Sequence, residues 1–204
     1  MAPGHARPDL TRPSRSRAVR ALRRLAFFLL AIGALSVAAA WAWHQPFMAR
    51  PRALWELSRM PPPRALPVPV AGVRARDVAD TFGAPRGRDR RHEGVDIFAP
   101  RGTPVLSATR GVVTAVREGG LGGRQVWVLG PGRQRHYYAH LQAWSPGLAE
   151  GDLVEAGQPL GQVGDSGNAR GTPPHLHYGI YGAAGAIDPL PLLRARTGGD
   201  VALP

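Results

Sequence analysis

Residues 25–43, LAFFLLAIGALSVAAAWAW, carry no charged side chain, and this run limits the fold of the chain more than any other segment. At 1.5 Å rise per residue the run makes about 28 Å of helix, close to the ~30 Å hydrocarbon core of a bilayer. In water it would be a helix apolar on every face, which only deep burial could stabilise. Seven arginines precede it (Arg7, Arg12, Arg15, Arg17, Arg20, Arg23 and Arg24), whereas only Arg50 and Arg52 follow closely. That asymmetry predicts a single-pass helix with residues 1–24 as a basic cytoplasmic arm and everything after residue 43 outside. Trp41 and Trp43 fall where an interfacial aromatic belt lies. A signal peptide cleaved after Ala38-x-Ala40 is the alternative, but the run is long for a signal core and ends in two tryptophans. Arg23-Arg24 hints at twin-arginine export, with poor spacing to Phe27.

The formal charge of +12 comes from 26 basic and 14 acidic residues, and every basic residue is arginine. Residues 1–50 hold eight arginines against one acid, Asp9, so eight minus one gives +7 to that stretch. Topology and anionic lipid explain that block better than nucleic acid does, so no nucleic-acid partner is expected. Cysteine is absent, which excludes a disulfide framework and any thiolate metal site.

Residues 44–71 are rich in proline, including Pro61-Pro62-Pro63, Pro67 and Pro69. Such a stretch favours extended polyproline geometry and a semi-rigid spacer between anchor and domain. An ordered wrap of this segment around the domain is the alternative. The folded unit is expected over residues 72–193, followed by a tail, 194–204, that frays after Thr197.

Within that unit, apolar segments are short and glycine or proline recurs between them. Thr103–Thr109, Gly111–Arg117, Gln125–Leu129, Arg135–Leu141, Pro159–Val163 and Leu176–Tyr181 each have strand length, and most are rich in Val, Ile, Thr and aromatics. Only Ala75–Phe82 reads as helical. The expected class is mainly β, a curved antiparallel sheet closing into a barrel-like or two-layer arrangement. Period-2 geometry places His136, Tyr138 and His140 on one face of their strand, and His175 and His177 on one face of theirs.

Five of the seven histidines fall in three short clusters. His92 and Asp96 form H-x-x-x-D; His136 and His140 lie in RHYYAHL; His175 and His177 form H-x-H. Two imidazoles and a carboxylate are a usual catalytic ligand set for Zn2+, with a fourth position left for water. The HEGVD run is no helical H-E-x-x-H motif: Gly94, Val95 and the following IFAP oppose a helix there. Taken alone, the H-x-x-x-D pair is better explained by an exposed polar loop, because such matches are common by chance. His136, following Arg133 and Arg135, reads as a half-exposed surface histidine. Two imidazoles on one sheet face, after Pro173-Pro174, are the more specific signal.

RHEGVDIFAPRGTPV, YAHL and PPHLHYGI, in that order, together with GDLVEAGQPLGQVGDSGNA, resemble the LytM/lysostaphin-type zinc metallopeptidases of the M23 peptidase family. The resemblance covers about residues 80–190. It implies a zinc-dependent peptidoglycan endopeptidase that hydrolyses peptide bonds in bacterial wall cross-links. By motif position it implies His92, Asp96 and His177 as zinc ligands, and His140 and His175 as catalytic histidines that do not bind the metal. One of these two would act as general base, and the other would steady the oxyanion or protonate the leaving amine. The expected place is the bacterial inner membrane, with the domain on the periplasmic or extracellular side facing wall peptides. The NARGTPP stretch before His175 is longer than the family's usual segment, and no upstream tyrosine matches one that some members use; Tyr137, Tyr138 or Arg86 could compensate. Arg86, Arg88, Arg90 and Arg91 are either a solvated face or an attractor of wall-peptide carboxylates. The alternative function is a non-catalytic wall-binding or regulatory module of the same fold. A biotinyl-type carrier fails because the chain has no lysine.

Overall fold

In the computed structural model, residues 15–195 are described except Arg88, and the chain divides into two compact units, Met1–Met48 and Ala49–Pro204. The first unit is a 29-residue helix α1 (Arg15–Trp43) followed by a 3-10 turn at Pro46–Met48. Over Arg17–Trp43 it is, among the described residues, the one helix long and apolar enough to cross a membrane. Most of the expected basic arm, residues 1–14, and the expected frayed tail from 196 onward lie outside the described residues.

The second unit opens with helix α2 (Ala49–Arg59), where a polyproline spacer was expected. The prolines explain the difference. Pro51 falls in the first helical turn, where its missing N–H costs nothing, and no proline follows until Pro61. Leu57 on α2 is 2% exposed, and α2 packs on the strand Gly111–Gly119 and the turn at Pro131–Arg133. After the helix the chain stays on the domain: Leu66 and Val70 are core residues, Leu66 N donates to Leu192 O at 2.9 Å, and Val70 bridges to Val105. Composition alone had hidden these anchoring apolar positions. The ordered wrap, rather than the free spacer, describes residues 49–70.

The remaining strands follow the turn chemistry. In order they are β1 (Pro85–Arg86), β2 (Arg90–Arg91), β3 (Val95–Phe98), β4 (Pro104–Leu106), β5 (Gly111–Gly119), β6 (Gly123–Leu129), β7 (Arg135–Ala139), β8 (Leu141–Trp144), β9 (Leu153–Val154), β10 (Pro159–Val163), β11 (His175–Gly182) and β12 (Gly185–Ile187), before a closing helix α3 (Leu190–Arg194). The architecture is mainly β. A seven-stranded antiparallel sheet runs β12-β11-β7-β6-β5-β9, with β3 also on β11; β4-β10-β8 form a second sheet, and β1-β2 a hairpin. Ala75–Phe82, expected to be helical, holds only a 3-10 turn at Ala75–Asp77.

The core between the sheets is built largely from β-branched and aromatic side chains such as Val95, Ile97, Val126, Ile180, Tyr138 and Tyr178. Burying each such side chain stabilises the fold by roughly 1.5–3 kcal/mol before entropy is counted. The two tyrosines also need polar partners in that dry interior. Tyr138 Oη accepts from Ala108 N at 2.9 Å, and Tyr178 Oη lies 2.7 Å from His136 Nδ1. His136 is thus a fully buried core histidine, not the half-exposed surface residue expected. Burial pushes its pKa down to about 4.

Candidate metal centre

Strand β11 lies between β3 and β7, and this register assembles the site. His177 pairs with Asp96 on one side and with Ala139 on the other. His177 and Asp96 are therefore cross-strand neighbours, although 81 residues separate them in sequence. His92 reaches the same point from the segment just before β3.

Three donor atoms converge there. His92 Nε2 lies 2.8 Å from His177 Nδ1 and 3.1 Å from Asp96 Oδ1, and His177 Nδ1 lies 3.3 Å from that same oxygen. Two zinc bonds of ~2.0–2.1 Å at a tetrahedral angle span about 3.3 Å, so the triangle has the size of a tetrahedral face. Lone pairs this close repel unless a shared proton or a cation lies among them. The residues present fit a zinc-type ion, and among the described residues this is the one His/Asp/Glu group that could hold a metal.

The surrounding shell fixes each donor. His92 Nδ1 is 2.7 Å from Thr81 O, so it donates its proton there and leaves the Nε2 lone pair inward. Thr81 Oγ1 also accepts from Asp96 N at 3.0 Å. Arg86 on β1 ion-pairs with Asp96 Oδ2, which leaves Oδ1 as the oxygen facing the triangle. Burial would raise the Asp96 pKa, but its contacts with the His177 and His92 rings outweigh it and hold the carboxyl far below its ordinary range. Burial lowers the His177 pKa, keeping its imidazole neutral as a ligand must be. Gly94 completes the support. A Cβ there would sit 2.9 Å from both Cε1 and Nε2 of His177 and 2.5 Å from Tyr178 O.

His140 and His175 flank the triangle without joining it. Their rings are 5.1 Å apart, and that of His140 is 5.9 Å from that of His177. Each turns Nδ1 to a backbone carbonyl, His140 to Ser166 O at 2.9 Å and His175 to Pro173 O at 2.8 Å. A proton donated there leaves Nε2 as the free, proton-accepting atom. Burial, helped by the neighbouring His177 and His175, pushes the His140 pKa down to about 4.

His140 reaches this face by a route that strand alternation does not foresee. Its φ is +63°, and it sits alone between β7 and β8. A left-handed residue reverses the pleat, so His140 departs from the face of His136 and Tyr138, which point into the core. Tyr137 and Ala139 are the β7 residues on the site side: the Tyr137 ring lies 5.7 Å edge-on from His177 and lines the cleft. The expectation that His136 shares the face of His140 is therefore corrected. The Ser166 carbonyl is held by close backbone packing, because Gly123 and Gly167 meet where a Cβ on either would lie within 2.4 Å of the other's nitrogen. Arg101 adds an ion pair of 2.7 Å to the adjacent Asp165.

These groups line an open cleft of about 770 Å³, walled by the β1-β2 hairpin, the 121–122 turn and the 168–172 loop, with Tyr137 and Tyr181 on its floor. Burial and then Glu93 push the Tyr181 phenol up to about 12. Sequence reading missed the Thr81, Ser166 and Pro173 contacts. Those made through main-chain carbonyls leave no residue-type signal. Gly94, inside the H-x-x-x-D run, could have been read as a close-approach glycine.

Comparison with known proteins places the chain among peptidases. Residues 90–189 match the sequence profile described as Peptidase family M23. The chain is 42% identical over 126 residues to an L-Ala–D-Glu endopeptidase of Bacillus subtilis (strain 168), covering 56% of this chain and 39% of that protein. It superposes on a crystal structure of the catalytic domain of the antimicrobial peptidase lysostaphin from Staphylococcus simulans, at 32% identity and a TM-score of 0.52, over 58% of this chain and 92% of that one. A zinc-containing peptidase from Vibrio cholerae superposes at 26% identity and a TM-score of 0.52, over 68% of this chain and 41% of that one. The chain spans between 20% and 39% of the length of the curated relatives it matches.

Proposed function

Because this chain belongs to peptidase family M23, we propose that it is a zinc-dependent endopeptidase cutting peptide bonds in the cross-linking peptides of bacterial peptidoglycan. The observation that carries the reading is the three-donor triangle of His92, Asp96 and His177 beside two histidines with free Nε2 atoms. His92, Asp96 and His177 would hold the ion. When bound, zinc supplies the Lewis acidity that makes water a nucleophile near neutral pH and polarises a carbonyl.

The protein's own groups do the rest. His140 and His175 face the same space, so one takes the proton of the attacking water at Nε2 and the other stabilises the developing oxyanion or delivers a proton to the leaving amine. The carbonyls of Ser166 and Pro173 keep both Nδ1 protons occupied, so both Nε2 atoms stay in the reactive tautomer. Thr81 and Arg86 hold His92 and Asp96 in ligand geometry. The open cleft admits an extended peptide, as an internal cut in a polymer requires.

Helix α1 supports a place at the bacterial inner membrane, with a basic cytoplasmic side, the helix as a retained anchor and the peptidase domain outside. The unit fits residues 49–193, with α2 and the proline segment wrapped on it. The test is digestion of isolated peptidoglycan by the full chain in detergent, with zinc stoichiometry measured in parallel. New amino termini that vanish with chelator and return with zinc support the reading. Stoichiometric zinc without new amino termini would instead favour the non-catalytic wall-binding module.

A further inference from the structure

The β1-β2 hairpin places Arg86 directly opposite Arg90. Cross-strand partners share a face, and like charges set directly opposite destabilise a pair of strands. Arg86 is compensated, because its guanidinium ion-pairs with Asp96 inside the cleft. By register, Arg90 faces the same side; it lines the cleft, is exposed, and has no ion-pair partner among the described residues. The neighbouring acids do not answer it. Asp96 is taken by Arg86 and the metal triangle, Glu93 faces Tyr181, and Asp89, the turn residue that also lines the cleft, makes no ion pair with Arg90. Arg91 is held otherwise, donating from Nη1 to Gly83 O at 3.1 Å.

We infer that Arg90, beside Arg86 at the lip of the cleft, is a subsite for a free carboxylate of the substrate peptide. The inference rests on the peptidase reading above and adds the substrate's charge to it. A D-Glu beside the cleaved bond, as in the name of the Bacillus subtilis relative, carries such a carboxylate when it is not amidated. A guanidinium offers paired N–H donors that match a carboxylate's two oxygens, and an uncompensated arginine next to a second one gains from an incoming anion.

The experiment compares two synthetic wall peptides that differ only in that group, one with the carboxylate free and one with it amidated, on the zinc-loaded full chain in detergent. The expected result is a preference for the free acid of about fivefold in kcat/KM, the upper end for an exposed ion pair. That preference should shrink at about 1 M salt, where charges are screened within ~3 Å. In Arg90→Ala the ratio should fall toward one, and in Arg90→Glu it should invert. Binding of the uncleaved peptides to zinc-free protein, followed by fluorescence anisotropy, should show the same ratio without turnover. Equal cleavage of both peptides by the unsubstituted chain, or an unchanged ratio in Arg90→Ala, overturns the subsite and leaves the peptidase standing. Cleavage of neither peptide by zinc-loaded protein overturns the peptidase reading itself, and the subsite with it.

Discussion

Replacing Gly94 with alanine tests whether the metal triangle is held by backbone packing. The new Cβ would stand 2.9 Å from two atoms of the His177 ring and 2.5 Å from Tyr178 O, where ordinary contact begins at 3.4 Å. The ring must therefore yield by 3.4 − 2.9 = 0.5 Å and the carbonyl by 3.4 − 2.5 = 0.9 Å. Neither has freedom to do so, because β11 is paired on both edges here, to β3 and to β7. If residue 94 moves instead, it carries His92 and Asp96, each two positions away. Either adjustment opens donor separations of 2.8–3.3 Å by about half an ångström. That exceeds the ~0.2 Å tolerance of a good metal site. The expected loss is about 10–100-fold in zinc affinity, the scale of a disturbed supporting shell, with about 1–3 kcal/mol of overpacking. Competition with a chromophoric chelator measures the affinity, and far-UV circular dichroism checks the fold. A folded Gly94→Ala protein binding zinc within threefold of the parent would refute the argument.

Three further outcomes follow from named contacts. His140→Ala should retain zinc while losing about 10²–10⁴-fold in turnover, since it removes a proton-transfer group outside the triangle; metal analysis beside a peptidoglycan digest reads both. His136 is neutral in the folded core with its pKa near 4, against 6.5 unfolded, so the unfolded chain binds more protons between those values. Its contribution is complete above pH 6.5 and fades as pH falls toward 4, by roughly 3 kcal/mol in all. Urea titrations of the parent and His136→Phe, compared across that window, should diverge with pH. Leu57→Ala should cost the domain about 2–5 kcal/mol if α2 is part of its core, against under ~0.5 kcal/mol for a free tether; a denaturant midpoint decides.

The legible parts of the sequence were those where a short pattern equals a local geometry. H-x-H on a strand puts His175 and His177 on one face whatever the rest of the chain does, and the strand segments fell close to their observed places. Misreadings came where one residue changes the rule. Alternation was carried from His136 through His140, but the left-handed backbone at 140 reverses the pleat, so one histidine went to the core and the other to the cleft. In residues 44–71 the prolines outweighed the Leu57, Leu66 and Val70 positions that anchor the segment, because which apolar residues meet a sheet is decided by partners far along the chain. The Thr81, Ser166 and Pro173 carbonyls were invisible, since every residue has one.

The conformation of residue 140 sets a direction for sequence change. Left-handed backbone costs a β-substituted residue roughly 1–2 kcal/mol, and glycine or asparagine occupies it far more easily. A library of variants selected for heat tolerance alone would drift toward such residues at this position. Its survivors would fold more securely and would have discarded a proton acceptor, so thermal selection here needs a catalytic screen beside it.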